Sequence, residues 1–167
     1  IQEFDEFGRE ANSWLPVAIA SNSGTFADLT KVKTAITAVY PNETAPYSKP
    51  VYEYSPLNRI QQEYGPGAAW HNNSKAVKIE YLSNTSAHVC GKFTTTDDKV
   101  TVSLTRSGSH TVNELYVTKI TNEDGYISYE FKNKSGQVIL TRQMDGTTAF
   151  DTYFVYDNFG NLRAVLP

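Results

Sequence analysis

His88 and Cys90 stand two residues apart, a spacing that on a strand puts both side chains on one face. A Cys–His pair is the raw material of a nucleophile and its general base. A working pair also needs a third group to orient the base, and such sites draw the base from elsewhere in the fold. Val89-Cys90-Gly91 carries no such signature, so Cys90 reads as a packed free thiol and the chain as a non-enzyme. His71, His88 and His110 lie far apart without ligand spacing, and one cysteine excludes a multi-cysteine zinc site or an internal disulfide. No metal or other cofactor is expected.

Carboxylates gather at Glu3, Asp5 and Glu6, at Asp97-Asp98 and at Glu123-Asp124. Glycosidase chemistry needs two carboxyls facing each other across a cleft. A twelve-residue calcium loop needs acids at alternate positions and a closing Glu. These acids instead have Gly and Asn neighbours, where a short polar side chain bonds nearby backbone; calcium held at such a turn is the secondary reading. Trp14, Tyr47, Tyr64 and Trp70 offer flat faces on which a sugar ring could stack, or they plug the covered face of a sheet. The sequons Asn84-Thr85-Ser86 and Asn133-Lys134-Ser135 are expected by chance in a chain this rich in Thr and Asn.

The elements that must position these residues follow from composition. The 167 residues form one domain's worth of chain, 40% hydrophobic and 20% charged, which excludes intrinsic disorder. No apolar run reaches the roughly 20 residues of a membrane helix. A net charge of −3 and a pI near 5.6 argue against a nucleic-acid surface. Thr, Val and Ile, with 11 Tyr and 8 Phe, favour strands, and a single Met with no helical heptads argues against a bundle.

One tight-turn motif recurs: a polar corner residue, two variable residues, then Gly or Asn. Asp5–Gly8, Ser55–Asn58, Asn122–Gly125, Asn133–Gly136 and Asp157–Gly160 are its copies. The corner oxygen can accept from the backbone N–H two residues on. The fourth residue takes φ > 0, which costs Gly nothing and Asn little. This chemistry suits a hairpin closed by a type I turn and a G1 bulge, and five copies amount to a repeat.

Strand-like runs flank these turns. Leu115–Ile120 and Tyr126–Phe131 bracket the third, Val138–Thr141 follows the fourth, and Tyr153–Tyr156 and Leu162–Leu166 bracket the last, so 115–167 reads as an antiparallel meander. Val77-Ile79-Tyr81 and Val100-Val102-Leu104 alternate as half-buried strands do. Segments 65–75 and 83–98 read as loops. Phe26, Leu29, Val32, Lys33, Ile36, Val39 and Tyr40 recur every three to four residues, an amphipathic helix with Thr25 or Asp28 as N-cap and Pro41 as stop. The frequent Thr and Val leave a strand as the alternative there.

These residues carry a resemblance. Phe4-Asp5-Glu6-Phe7-Gly8-Arg9 and Tyr156-Asp157-Asn158-Phe159-Gly160-Asn161 resemble the YD repeat of RHS proteins. The run Tyr47–Ile60, with Ser55-Pro56-Leu57-Asn58-Arg59 followed by Pro66-Gly67 and Trp70, resembles the segment just ahead of the repeats in large Bacteroidetes-type RHS-repeat proteins. Departures are Asn58 in a glycine slot, and Thr121 and Lys132 where the family has an aromatic. The resemblance implies strands of a long sheet that spirals into a shell around a C-terminal toxin or effector domain. It implies export to the cell surface or beyond. The family's self-cleaving Asp-Pro-x-Gly-Leu run does not occur, so no cleavage is implied.

The expectation is a mainly β fold: an antiparallel hairpin meander or twisted open sheet of YD-repeat type, with one short amphipathic helix near 26–40. A single domain is expected, comprising a repeat-like hairpin (1–24), helix and linker (25–46), a pre-repeat β region (47–114) and the meander (115–167). Its role is a non-catalytic structural module that starts or caps the shell, with the helix covering an edge. Its partners are the remaining repeats and C-terminal domain of the same polypeptide. A cell-surface adhesion or carbohydrate-binding module is the alternative, with a glycan partner. Exposed edge strands at Ile1–Phe4 and Leu162–Leu166, and self-association through them, are expected to follow.

Overall fold

Strands dominate, and five of the hairpins turn at the polar corners the sequence repeats. The computed structural model describes residues 1–19, 24–97 and 102–167. It divides into two compact units, Ile1–Lys78 and Ile79–Pro167.

In the first unit, β1 (Gln2–Phe4) and β2 (Glu10–Trp14) form an antiparallel hairpin around the Asp5–Gly8 turn. Helix α1 (Leu29–Val39) follows, then β3 (Tyr47–Tyr52) pairs with β2, and β4 (Ile60–Tyr64) pairs with β3. A single turn of helix, α2 (Ala68–Asn72), leads to β5 (Ala76–Ser83), whose first residues pair with β4. The sheet is open and antiparallel, in the order β1-β2-β3-β4-β5. Helix α1 is shorter than the sequence stripe, because Asp28, and not Thr25, caps it through Lys31 N–H at 2.7 Å. Only Val32 and Ile36 of the stripe are buried; Phe26, Val39 and Tyr40 are exposed. Lys33 moors the helix beside β1 and β2, its Nζ 2.5 Å from Glu3 Oε1 and 4.7 Å above the Trp14 ring.

The loop reading of 65–75 is corrected by α2. Its first N–H groups find an acceptor 25 residues upstream, Glu43 Oε1, which takes Ala68 N–H at 2.5 Å and Ala45 N–H at 2.9 Å. A five-residue helix held by a distant carboxylate leaves no local periodicity to read.

In the second unit, the end of β5 borders β8 (Tyr116–Thr121), and the order continues through β9 (Ile127–Lys132), β10 (Val138–Asp145), β11 (Thr148–Tyr156) and β12 (Leu162–Leu166), all antiparallel. A separate ribbon joins β6 (Gly91–Asp97) to β7 (Val102–Ser109). The loop reading of 83–98 fails from Gly91 onward: Thr94-Thr95-Thr96 are branched at Cβ and pair in β6. Asp98 and Val100 lie outside the described residues.

Phe131, Leu140, Val117, Leu115 and Cys90 form this unit's core, with Tyr129, Ile139 and Tyr153 packed around it. The ribbon docks on that sheet through Phe93, 4.9 Å edge-on to Tyr153. Asn84, 1% exposed, clamps the chain between β5 and β8: its Nδ2 donates to Thr111 O at 2.7 Å and its Oδ1 accepts Leu115 N–H at 2.8 Å. A buried amide with both ends satisfied fixes loop geometry that hydrophobic packing leaves loose. Between β10 and β11, Gly146 at φ +58° opens a two-residue turn closed by the Asp145–Thr148 pair.

Phe131→Ala is expected to cost the second unit about 3–5 kcal/mol, since its ring is wholly enclosed and the barrel-less sheet cannot collapse around the void. Urea unfolding followed by tyrosine fluorescence measures it.

Candidate functional site

The feature that recurs through both units is the cornered hairpin. At Asp5, Asn122, Asn133 and Asp157 one side-chain oxygen accepts two backbone N–H groups, those of the second and fourth residues onward, at 2.9–3.0 Å. In each, the corner carbonyl also accepts the Gly N–H at 3.0 Å, and the Gly φ lies between +76° and +90°. Ser55 builds a wider version. Its Oγ takes Leu57 N–H at 3.2 Å, Asn58 sits at φ +53°, and the closing backbone bond moves outward to Glu53 N–H and Arg59 O. The serine hydroxyl takes one donor, and Glu53 Oε1 accepts the other, Arg59 N–H at 3.4 Å, while its carboxylate also accepts Arg59 Nε at 2.9 Å and Nη2 at 2.7 Å.

A second regularity accompanies the first. In the β1–β2, β3–β4, β9–β10 and β11–β12 hairpins, one extra residue bulges from the second strand: Ala11, Gln61, Ile139 and Arg163. Each lies six residues past its corner, so corner and bulge form one unit. The β8–β9 hairpin has the corner and stays in register without the bulge. Bulges add local twist and bend to a strand.

Basic side chains close the corners electrostatically. Arg9 Nε lies 2.7 Å from Asp5 Oδ2, and its guanidinium sits 4.6 Å over Tyr52 and 5.0 Å over Phe7. Arg163 Nε lies 2.7 Å from Asp157 Oδ2. Hydrogen bonds from Arg59 and then Ser55 outweigh burial and hold Glu53 at about 2. At Asp157 burial pushes the other way, but the bonds from Asn161, Arg163 and Phe159 prevail and its pKa is also about 2. Neighbouring turns at one end of a sheet are stapled: Arg9 Nη1 donates to Asn58 Oδ1 at 3.0 Å, and Gln137 Nε2 to Gly160 O at 3.3 Å. In both staples the residue after one left-handed position reaches the left-handed residue of the next turn.

Three of the four candidate stacking residues come together, through a residue the sequence reading set aside. His71 stacks on Tyr64 at 5.1 Å and meets Tyr47 edge-on at 5.3 Å, and Tyr47 contacts Trp14 at 4.8 Å. Their faces are spent on one another, and Trp14 Nε1 donates to Glu3 at 2.9 Å. Trp70 is exposed and lies against Gly67, with which a Cβ would collide at 3.0 Å.

Cys90 is completely buried, and burial, with Asp151 and Glu114 adding and Arg142 opposing, pushes its thiol up to about 12. His88 contacts Thr85 Oγ1 at 3.1 Å and packs its ring 5.0 Å from Tyr129. Beside Cys90, Arg142 forms a two-pronged pair with Asp151 at 2.6 and 2.7 Å and donates to Val89 O at 3.1 Å. Tyr153 Oη accepts Gly91 N–H and donates to Asp151, both at 3.3 Å. This polar strut, which no spacing rule announces, ties the start of the ribbon to the sheet. A cleft of about 170 Å³ beside it is lined by Lys92, Phe93, His110, Ile139 and Tyr156 among others. His110 Nδ1 lies 3.1 Å from Glu114 Oε1, and Glu114 is held at about 2 by Thr111 N–H and then His110. Among the described residues no cluster of three or more His, Cys, Asp or Glu could hold a metal ion. The Asp97 side chain and Asp98 lie outside what is described.

Each unit is thus built on open antiparallel sheet in which a cornered hairpin recurs. Residues 1–83 match the family model of a domain of unknown function, DUF6443. That match ends at Ser83, the last residue of β5. Comparison with curated proteins and with solved structures returns no match.

Gly125→Ala is expected to cost about 1–2 kcal/mol by backbone strain alone, since no atom lies within 4 Å of the new Cβ, and Gly125→Asn less. Urea midpoints of the two variants decide this. Glu53 titrates at about 2 in the folded chain against an ordinary 4.5, so its stabilisation is complete above pH 4.5 and is lost as pH falls toward 2. Glu53→Gln is expected to flatten that part of a stability–pH curve; an unchanged acid slope refutes the assignment.

Proposed function

We propose that this chain is a non-catalytic structural module of an exported RHS/YD-repeat protein, one that starts or caps a β-shell. The shell of such proteins encloses a C-terminal toxin or effector domain, so the module's partners are the further repeats and that domain. The observation that carries this reading is the joint recurrence of corner and bulge in four hairpins, which is a structural repeat and not scattered turn chemistry. Repeat units of this kind are stabilised by their neighbours. The buried, high-pKa thiol of Cys90 and the internally spent aromatic faces support a scaffolding role over a catalytic or sugar-binding one. Secretion or cell-surface display belongs to the same proposal.

Limited proteolysis of the full-length polypeptide tests it. The expected result is one resistant body containing this segment together with the residues that follow it. Early release of this segment as an independent fragment, with the remainder left intact, overturns the reading.

A further inference from the structure

Apart from the two-stranded β6–β7 ribbon, the strands with an unpaired edge among the described residues are β1 and β12, at the two ends of the strand order. Each strand adjoins a corner: β1 runs into Asp5–Gly8, and β12 leaves Asp157–Gly160. If β12 of one copy paired antiparallel with β1 of another, the start of β12 would lie beside the end of β1, and the two corners would come level. The chain already sets same-end corners side by side in this way and staples them, Arg9 to Asn58 and Gln137 to Gly160. The two edges also match chemically. Ile1 and Phe4 are 47% and 63% exposed, and Leu162 and Val165 are each 50% exposed. Apolar side chains of this size on an edge strand are what pairing would cover.

We propose that the β12 edge with its Asp157–Gly160 corner is a docking surface for the β1–β2 hairpin of a second copy of this chain, joined head to tail. This deepens the structural-module reading by naming what an open end accepts: a hairpin of the same cornered kind. Pairing of three to five residues covers a few hundred Å² at most, far below the roughly 1,200 Å² of a stable complex, so the contact is weak and forms at high concentration. A head-to-tail dimer leaves one β1 edge and one β12 edge free, so association grows past the dimer, into a ring or an open chain.

Sedimentation velocity on the 167-residue chain up to about 1 mM, the affinity range of so small a contact, provides the test. The wild-type chain is expected to rise in mass with concentration and to exceed a dimer. Phe4→Lys blocks the β1 edge and Val165→Lys the β12 edge, using the charge by which natural edge strands avoid pairing. Each variant alone is expected to remain monomeric, and an equimolar mixture to recover a 1:1 dimer through the one unblocked β12 and the one unblocked β1. Association of Phe4→Lys alone would mean β12 pairs with β12, and association of Val165→Lys alone that β1 pairs with β1; either overturns the proposal. So does a wild-type chain that stays monomeric, or a mixture that fails to pair. Should circular dichroism show either variant unfolded, Ile1→Lys and Leu162→Lys stand in for it. A monomeric wild-type chain leaves the proteolysis result on the full-length polypeptide untouched, so the two readings fail separately.

Discussion

At four of the five corners a single side-chain oxygen takes two backbone N–H groups that a tight reversal would otherwise leave without acceptors. That bond sets where each strand stops and where the next begins, and so sets register along the sheet. Where the corner is Asp, the carboxylate also carries charge, and an arginine just beyond the turn answers it, Arg9 immediately ahead of β2 and Arg163 within β12. The serine corner shows how narrow the requirement is. One hydroxyl serves one donor, the closing pair shifts outward, and a buried glutamate two residues earlier assumes the remaining bonds.

What the corners fix locally, two different cores hold. Residues 1–78 bury small groups, Val32, Ile36, Ala45 and Ala76, and lean on polar moorings such as Lys33–Glu3 and Glu43 at the start of α2. Residues 79–167 have a larger apolar centre around Phe131 and Leu140; Asn84 clamps the chain between β5 and β8, and Arg142 with Asp151 and Tyr153 tie the start of the ribbon to the sheet. The difference follows from sequence: the second unit has the longer strands, whose inward positions can be filled by large side chains.

Much of this was legible before any coordinates. Corners need only a polar residue and a left-handed one at fixed spacing, so Asp5–Gly8, Asn122–Gly125, Asn133–Gly136 and Asp157–Gly160 announce themselves, as does the meander between them. Residues whose state depends on distant partners did not. Thr94–Thr96 looked like loop because Thr serves both turns and strands, and only pairing with β7 decides it. Ala68–Asn72 is helical because Glu43 reaches it. Phe26 and Tyr40 extended the helical stripe in sequence, yet the N-cap at Asp28 and the end at Val39 leave them outside. The bulges six residues past the corners, unlike the G1 bulge of the turn itself, were hidden for a related reason: an extra residue shifts the inside–outside alternation by one, so Val138-Ile139-Leu140 reads as an unbroken apolar run. Gly146-Thr147, by contrast, held the Gly-first signal of a two-residue hairpin in plain view.

The sealed sulfur has a practical consequence. Cys90 sits at the centre of the larger core with no solvent contact, so a thiol reagent reaches it only when that core opens. Its rate of labelling is therefore a clock for opening of residues 79–167. A cysteine placed on the surface would react first, giving a site-selective handle without removal of the native one.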